Sequence, residues 1–195
     1  MPIVKDANNY VSRAEGKLAG AAQAFSFDFR GKVVLDIGSS TGGFTEYALF
    51  RGAKKVIAVE KGVRQMKAPL RFDSRIELHE KTDIFSFELG EREDLDVILA
   101  DVSFVSLTKV LAYAKIKLAR RNTDFLVMLK PQFEARAEQL NKGVVKNEKI
   151  RREIIKNFEN WLKMNGFLVL GKRDNEVCGK NGNKERFYFL KLGSF

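Results

Sequence analysis

The chain is poor in reactive side chains. It has one cysteine, Cys178, and one histidine, His79, among 195 residues. A lone cysteine excludes an intramolecular disulfide and a cysteine-ligated zinc site. It also offers no good nucleophile for pyrimidine C5 chemistry, because Cys178 falls in a glycine-rich turn segment far in sequence from any strand end. His79 has no partner in sequence and reads as a structural or exposed residue. No group of His, Asp and Glu has metal-ligand spacing, so no metal is expected. Long apolar runs are absent as well. None approaches the ~18 residues of a membrane-spanning helix, and the opening Met1-Pro2-Ile3-Val4-Lys5-Asp6-Ala7-Asn8-Asn9-Tyr10 is too polar for a secretory signal. A cytoplasmic location is the resulting default. Repeats, low-complexity tracts and linkers are missing too, so residues 1–195 are expected to form a single domain, with a helix carrying Lys17 within residues 1–30. Acidic residues are the minority charge: 25 Asp+Glu against 35 Lys+Arg give +10. That balance favours a polyanionic partner, most often nucleic acid.

The most informative stretch is Lys32-Val33-Val34-Leu35-Asp36-Ile37-Gly38-Ser39-Ser40-Thr41-Gly42-Gly43-Phe44-Thr45. A β-branched apolar run reads as a buried parallel strand. A glycine-rich turn and an apolar-periodic helix follow it. Strand, tight loop and helix form the entrance to nucleotide-type pockets in open α/β sheets. The loop is neither the dinucleotide fingerprint nor a P-loop, so no pyrophosphate cradle is specified. An acidic residue two before the first glycine suits a ligand carrying an ammonium group or ribose hydroxyls. S-adenosyl-L-methionine has both.

The remaining elements alternate. A helix from Ser12 to about Phe27 has a capping box in Ser12 and Glu15, and its apolar face is Leu18, Ala21, Ala22 and Phe25. A helix over 43–50 is followed by a strand over 56–60 ending in Glu60, where α/β nucleotide sites place a carboxylate on ribose hydroxyls. A short strand is expected over 76–79, ahead of Lys81-Thr82-Asp83. Another covers 96–101 and ends in Asp101, and a helix follows over 106–119 with Leu107, Val110, Leu111 and Leu118 inward. The run Phe125-Leu126-Val127-Met128-Leu129-Lys130-Pro131 ends a buried strand in a lysine, an unusual address for that residue. Residues 134–149 read as a mobile polar loop, 147–164 as a helix, and 167–172 and 186–192 as strands. The pattern predicts an α/β fold: a seven-stranded, mostly parallel sheet with one antiparallel strand and helices on both faces. Amine-directed methyltransferases place Asp/Asn-Pro-Pro-aromatic after the fourth strand. Asp101-Val102-Ser103-Phe104 stands there instead. Carboxylate plus lysine at that edge suits proton transfer from a hydroxyl.

At this point the chain resembles the TlyA/hemolysin A family within the FtsJ-like RNA ribose methyltransferases. Tyr10-Val11-Ser12-Arg13 with Lys17-Leu18 is similar to the family's opening motif. Leu35-Asp36-Ile37-Gly38-Ser39-Ser40-Thr41-Gly42-Gly43-Phe44-Thr45, Asp101-Val102-Ser103-Phe104-Val105-Ser106-Leu107 and Lys130-Pro131-Gln132-Phe133-Glu134 match almost verbatim. Lys142-Gly143-Val144-Val145 and Gly182-Asn183-Lys184-Glu185 match more loosely. The resemblance implies a Rossmann-like class I methyltransferase fold and a catalytic tetrad of Lys17, Asp101, Lys130 and Glu185. It implies S-adenosyl-L-methionine contacts at Asp36, Gly38, Ser39, Gly43, Phe44, Glu60, Asp83 and Asp101. The departures are Ala14 and Glu15 where the family has two glycines, and Asp83 where it has Asn. Family members also begin with a small RNA-binding domain of the ribosomal-protein alpha-L type, which has no counterpart ahead of Tyr10.

The leading expectation is 2′-O-ribose methylation of ribosomal RNA, free or in a ribosomal subunit, with S-adenosyl-L-methionine as cofactor. A catalytically silent RNA-binding or ribosome-assembly factor is the alternative from another class. A hemolysin-like protein, suggested by the family name, is a third.

Overall fold

A computed structural model describes residues 13–90, 94–176, 179 and 182–193. The expected cap at Ser12, the motif residues Tyr10 and Val11, and Cys178 lie outside the described residues. Seven strands form one sheet: β1 (Val33–Ile37), β2 (Lys55–Glu60), β3 (Ile76–Glu80), β4 (Val97–Ala100), β5 (Asp124–Leu129), β6 (Phe167–Asp174) and β7 (Arg186–Leu192). Their order is β3-β2-β1-β4-β5-β7-β6. β7 is antiparallel to both neighbours, and the pairs among β1 to β5 are parallel. The strand order reverses between β1 and β4. Such a switch point opens a crevice beyond the carboxyl ends of the strands.

Helices cover both faces: α1 (Arg13–Ala24), α2 (Gly43–Phe50), α3 (Ala68–Arg71), α4 (Leu107–Lys117), α5 (Pro131–Glu134) and α6 (Glu148–Met164). Side chains alternate along each strand, so the sheet feeds two cores. Leu35, Ile37, Ile98 and Val127 pack with Leu107, Leu111, Phe158 and Leu162 of α4 and α6. Val34, Val97, Leu99 and Leu126 pack with Leu18, Ala21, Ala22, Phe44 and Ala48 of α1 and α2. The central strands are buried on both faces, which is why they are near-continuous apolar runs.

Two expectations change. The first helix ends at Ala24, and the chain turns at Ser26 with φ 50, so Phe27 and Phe29 enter the core from a loop. The segment 134–149 is built, where a mobile loop is expected. It holds α5, a 3₁₀ turn over Ala137–Gln139 and a small Asn141↔Val144 bridge. Polar composition conceals its anchors. Glu134 accepts hydrogen bonds from Ser106 Oγ at 2.7 Å and Leu107 N at 2.6 Å, closing the amino end of α4. Asn183 accepts from Val145 N at 3.2 Å and donates to Gly143 O at 3.1 Å.

Candidate active site

The crevice is a cavity of about 660 Å³. Ile37, Gly38 and Val59 form its base, Glu60, Asp83 and Asp101 supply carboxylates, and Ile84, Phe85, Val102 and Phe104 supply apolar walls. Gly38 has φ +80, and a Cβ there would lie 3.1 Å from Asp101 O. Glycine therefore provides both the left-handed turn and the space.

Glu60 spans two loops. Its Oε2 accepts from Ser40 N at 2.9 Å and its Oε1 from Gly62 N at 2.6 Å. A carboxylate has about four acceptor sites, so Glu60 keeps capacity for a ligand hydroxyl. Asp83 Oδ2 accepts from Lys61 Nζ at 2.9 Å and Oδ1 from Phe85 N at 3.1 Å. The Lys61 hydrogen bond leads in holding the Asp83 carboxyl below its ordinary range.

Asp36, Ser39, Gly43 and Phe44 do not line this cavity; all four are buried. Alternation along β1 explains Asp36. Leu35 and Ile37 pack on the α4/α6 side, so Asp36 points the other way, toward α2. There its Oδ2 accepts from Thr45 Oγ1 at 2.6 Å, and its Oδ1 is buried without a hydrogen-bond partner. Burial, with smaller contributions from the charges of Asp101 and Glu60 and against the Thr45 hydrogen bond, pushes its carboxyl up to about 7. The Ser39 hydroxyl is likewise buried without a hydrogen-bond partner.

The four residues of the expected tetrad meet at one edge of the sheet. Asp101 and Lys130 follow β4 and β5, and Lys130 Nζ lies 2.6 Å from Asp101 Oδ1. The register Leu129↔Arg186 places Lys130 and Glu185 opposite one another, one step past the last rung. Lys17 reaches across from α1, its Nζ 2.5 Å from Glu185 Oε2. Each lysine thus has its own carboxylate, and Asp101 also faces the cavity.

Several contributors were not singled out from the sequence. Ser103 Oγ accepts from Lys130 Nζ at 3.0 Å, and the Phe133 ring lies 5.9 Å from the same nitrogen. Gly179 leaves space that the Glu185 carboxylate fills; a Cβ there would collide with it. Phe104 is 94% exposed at the cavity rim with φ 63, its ring 5.2 Å from that of Phe133. Ser103, Phe104 and Phe133 stand inside the Asp101 and Lys130 motifs, so the signal was present. Gly179 had none. His79 contacts Glu77 Oε1 at 2.6 Å and the Phe87 ring, away from the tetrad. Among the described residues, no cluster could hold a metal ion, and no helix is long and apolar enough to cross a membrane.

Switch-point crevice, strand order and antiparallel β7 define a Rossmann-like methyltransferase fold. An S-adenosylmethionine-dependent methyltransferase from Mesorhizobium loti shares it with a TM-score of 0.65 at 14% identity, over 94% of this chain and 100% of that one. A more specific likeness comes from the FtsJ-like methyltransferase family, whose model matches residues 10–192. The chain belongs to that family. It is 37% identical over 92% of its length to the 23S rRNA (cytidine-2′-O)-methyltransferase TlyA of Campylobacter jejuni, covering 70% of that protein. A crystal structure of a candidate hemolysin from Lactococcus lactis superposes with a TM-score of 0.88 at 34% identity, over 93% of this chain and 88% of that one.

Proposed function

We propose that this protein is an S-adenosyl-L-methionine-dependent 2′-O-ribose methyltransferase acting on ribosomal RNA, with a cytidine ribose as the first site to test. The observation that carries the reading is the pair of lysine–carboxylate contacts, Lys130–Asp101 and Lys17–Glu185, set at the carboxyl edge of the sheet beside the cavity. The cavity fits the cofactor in kind. Three carboxylates suit an ammonium group and ribose hydroxyls, apolar walls suit an adenine, and Gly38 keeps a close approach open.

When bound, S-adenosyl-L-methionine supplies a methyl group already activated by its sulfonium. The protein's task is then mainly positioning. Glu60 would hold ribose hydroxyls, and Asp83 with Phe85 and Ile84 would border the base. Lys130, held beside Asp101 and Ser103, would orient the RNA 2′-hydroxyl as an ammonium and would take the hydroxyl proton only after giving its own to water. Lys17 and Glu185 would hold the second side of that position. This substrate places the protein's work in the cytoplasm. The silent-scaffold alternative has no observation in its favour, since all four tetrad side chains are present and form two lysine–carboxylate pairs.

The test is transfer of tritium from methyl-labelled cofactor to ribosomal RNA. A 2′-O-methyl blocks alkaline cleavage of the adjoining phosphodiester, so the label should survive in an alkali-resistant dinucleotide. Label released on mononucleotides would place the methyl on a base and sink the ribose assignment.

A further inference from the structure

We infer that the RNA backbone leaves the active site along one basic track, formed by Lys142 and Lys146 of the built 134–149 segment and by Lys149, Arg152 and Lys156 on α6. The inference rests on the RNA reading above and adds the surface that would hold the strand. All five residues are exposed. Among the described residues none of the five side chains lies in an ion pair; Arg152 Nε donates to Glu148 O of its own helix at 3.3 Å, and, behind the Lys184 hydrogen bond, its charge helps to lower the Glu148 carboxyl.

The three α6 residues follow the spacing i, i+3, i+7. With 3.6 residues per turn they fall within a stripe about 60° wide. Opposite that stripe are the buried Arg151, Ile154, Ile155, Phe158 and Leu162. Two acids beside the stripe are already occupied. Glu148 accepts from Lys184 Nζ at 2.5 Å, and Glu159 accepts from Lys172 Nζ at 3.0 Å. Glu153, four residues after Lys149 and three before Lys156, borders the stripe on its other side and lines a cavity with Thr108 and Trp161. Three cations against the one bordering acid not engaged by a lysine elsewhere leave the stripe net positive.

Its placement ties it to the tetrad. Asn183 pins the turn carrying Lys142, and the Lys184–Glu148 contact pins the first turn of α6. Those two residues directly precede Glu185. The cation ladder is thus tied to the tetrad through the two residues that precede Glu185, on the side of the site opposite Lys130 in the β5/β7 register. A phosphate backbone is the polyanion whose charges repeat along a line as the ladder does, whereas an acidic protein would need matching side chains.

The test compares two triple variants of equal net charge. Lys149→Gln/Arg152→Gln/Lys156→Gln removes the stripe. Lys54→Gln/Lys117→Gln/Arg121→Gln removes three exposed cations at the opposite edge of the sheet, where β2 and β5 begin. Binding to fluorescein-labelled polyuridylate is followed by anisotropy across a salt series. Each phosphate contact contributes about −0.7 to the log–log slope for single strands. The stripe variant should therefore have a slope shallower by about 2, with the control unchanged. Both should melt as the parent does. Stripe and parent slopes that coincide, or equal flattening in both variants, overturn the track. In tritium assays on ribosomal RNA the stripe variant should raise KM for RNA and leave kcat unchanged. A parent that binds polyuridylate through the stripe yet transfers no methyl would fail the methyltransferase reading alone. A stripe variant with parental slope and normal transfer would fail the track alone.

Discussion

At the scale of single residues, the strongest constraints are Gly38 and Lys130. Gly38→Val would place a branched side chain at φ +80, with its Cβ 3.1 Å from the Asp101 carbonyl. Valine is strained in that region whatever the space around it. Calorimetry should show loss of S-adenosyl-L-methionine binding, and parental affinity in a folded variant would remove the cofactor from this crevice. Lys130→Ala should lower methyl transfer by about 10²–10⁴-fold, the usual range for a lost acid–base group, with cofactor affinity near the parent's. Lys130→Arg then separates two roles. Guanidinium keeps the charge but cannot release a proton at working pH. Single-turnover rates across neutral and alkaline pH should find it dead, and an active Arg variant would leave Lys130 only an orienting role. The positions of Asp101, Lys130 and Glu60 were legible in the sequence because buried runs ending in charged residues announce strand ends. The direction in which Asp36 points was not. It depends on which parity of β1 faces α2, and a run buried on both faces carries no polarity to show it.

At the scale of elements, β7 was bounded correctly from sequence, from Arg186 to Leu192, because a turn-rich stretch precedes the continuous apolar run Phe187-Tyr188-Phe189-Leu190. The 134–149 segment was not, because its order comes from contacts distant in sequence. Glu134 is the clearest case. Its carboxylate closes the amino end of α4 through Ser106 Oγ and Leu107 N, as favoured by the helix dipole. A hydrogen bond to a charged group contributes about 1.5–3 kcal/mol. Glu134→Ala should therefore lower unfolding free energy by about 2 kcal/mol in urea titrations, and Glu134→Gln by less, since an amide oxygen can still accept one of the two bonds. Equal stability of Glu134→Ala and parent would show that water replaces the carboxylate there without loss. Because Glu134 follows Lys130 by four residues, the same variant should also impair transfer through a looser Lys130.

At the scale of the whole molecule, stability should peak in mildly acidic solution, because two sets of carboxyls pull in opposite directions. Asp174 is held down to about 2, first by its hydrogen bond from Arg186, and Glu80 to about 2, first by that from Arg71. Groups lowered in the folded state stabilise it above the unfolded value near ~4, and that contribution fades as pH falls toward 2. Asp36 acts the other way. Burial raises its carboxyl to about 7. Between about pH 4 and pH 7 the folded chain holds a proton that the unfolded chain has released, so stability falls as pH rises through that window. Three units at 1.36 kcal/mol each set a ceiling of about 4 kcal/mol on the loss. Asp36→Asn removes this limb and keeps an oxygen for the Thr45 hydroxyl. Thermal unfolding of the cofactor-free protein should show a melting temperature that declines from about pH 5 to pH 8 in the parent and stays flatter in the variant. The two should differ least at the acid end. Parallel curves would mean that Asp36 is ionised throughout that range. The charge buried behind the glycine loop would then have a partner that the structure does not show, and the cofactor-facing role of Asp101 would have to be reconsidered with it.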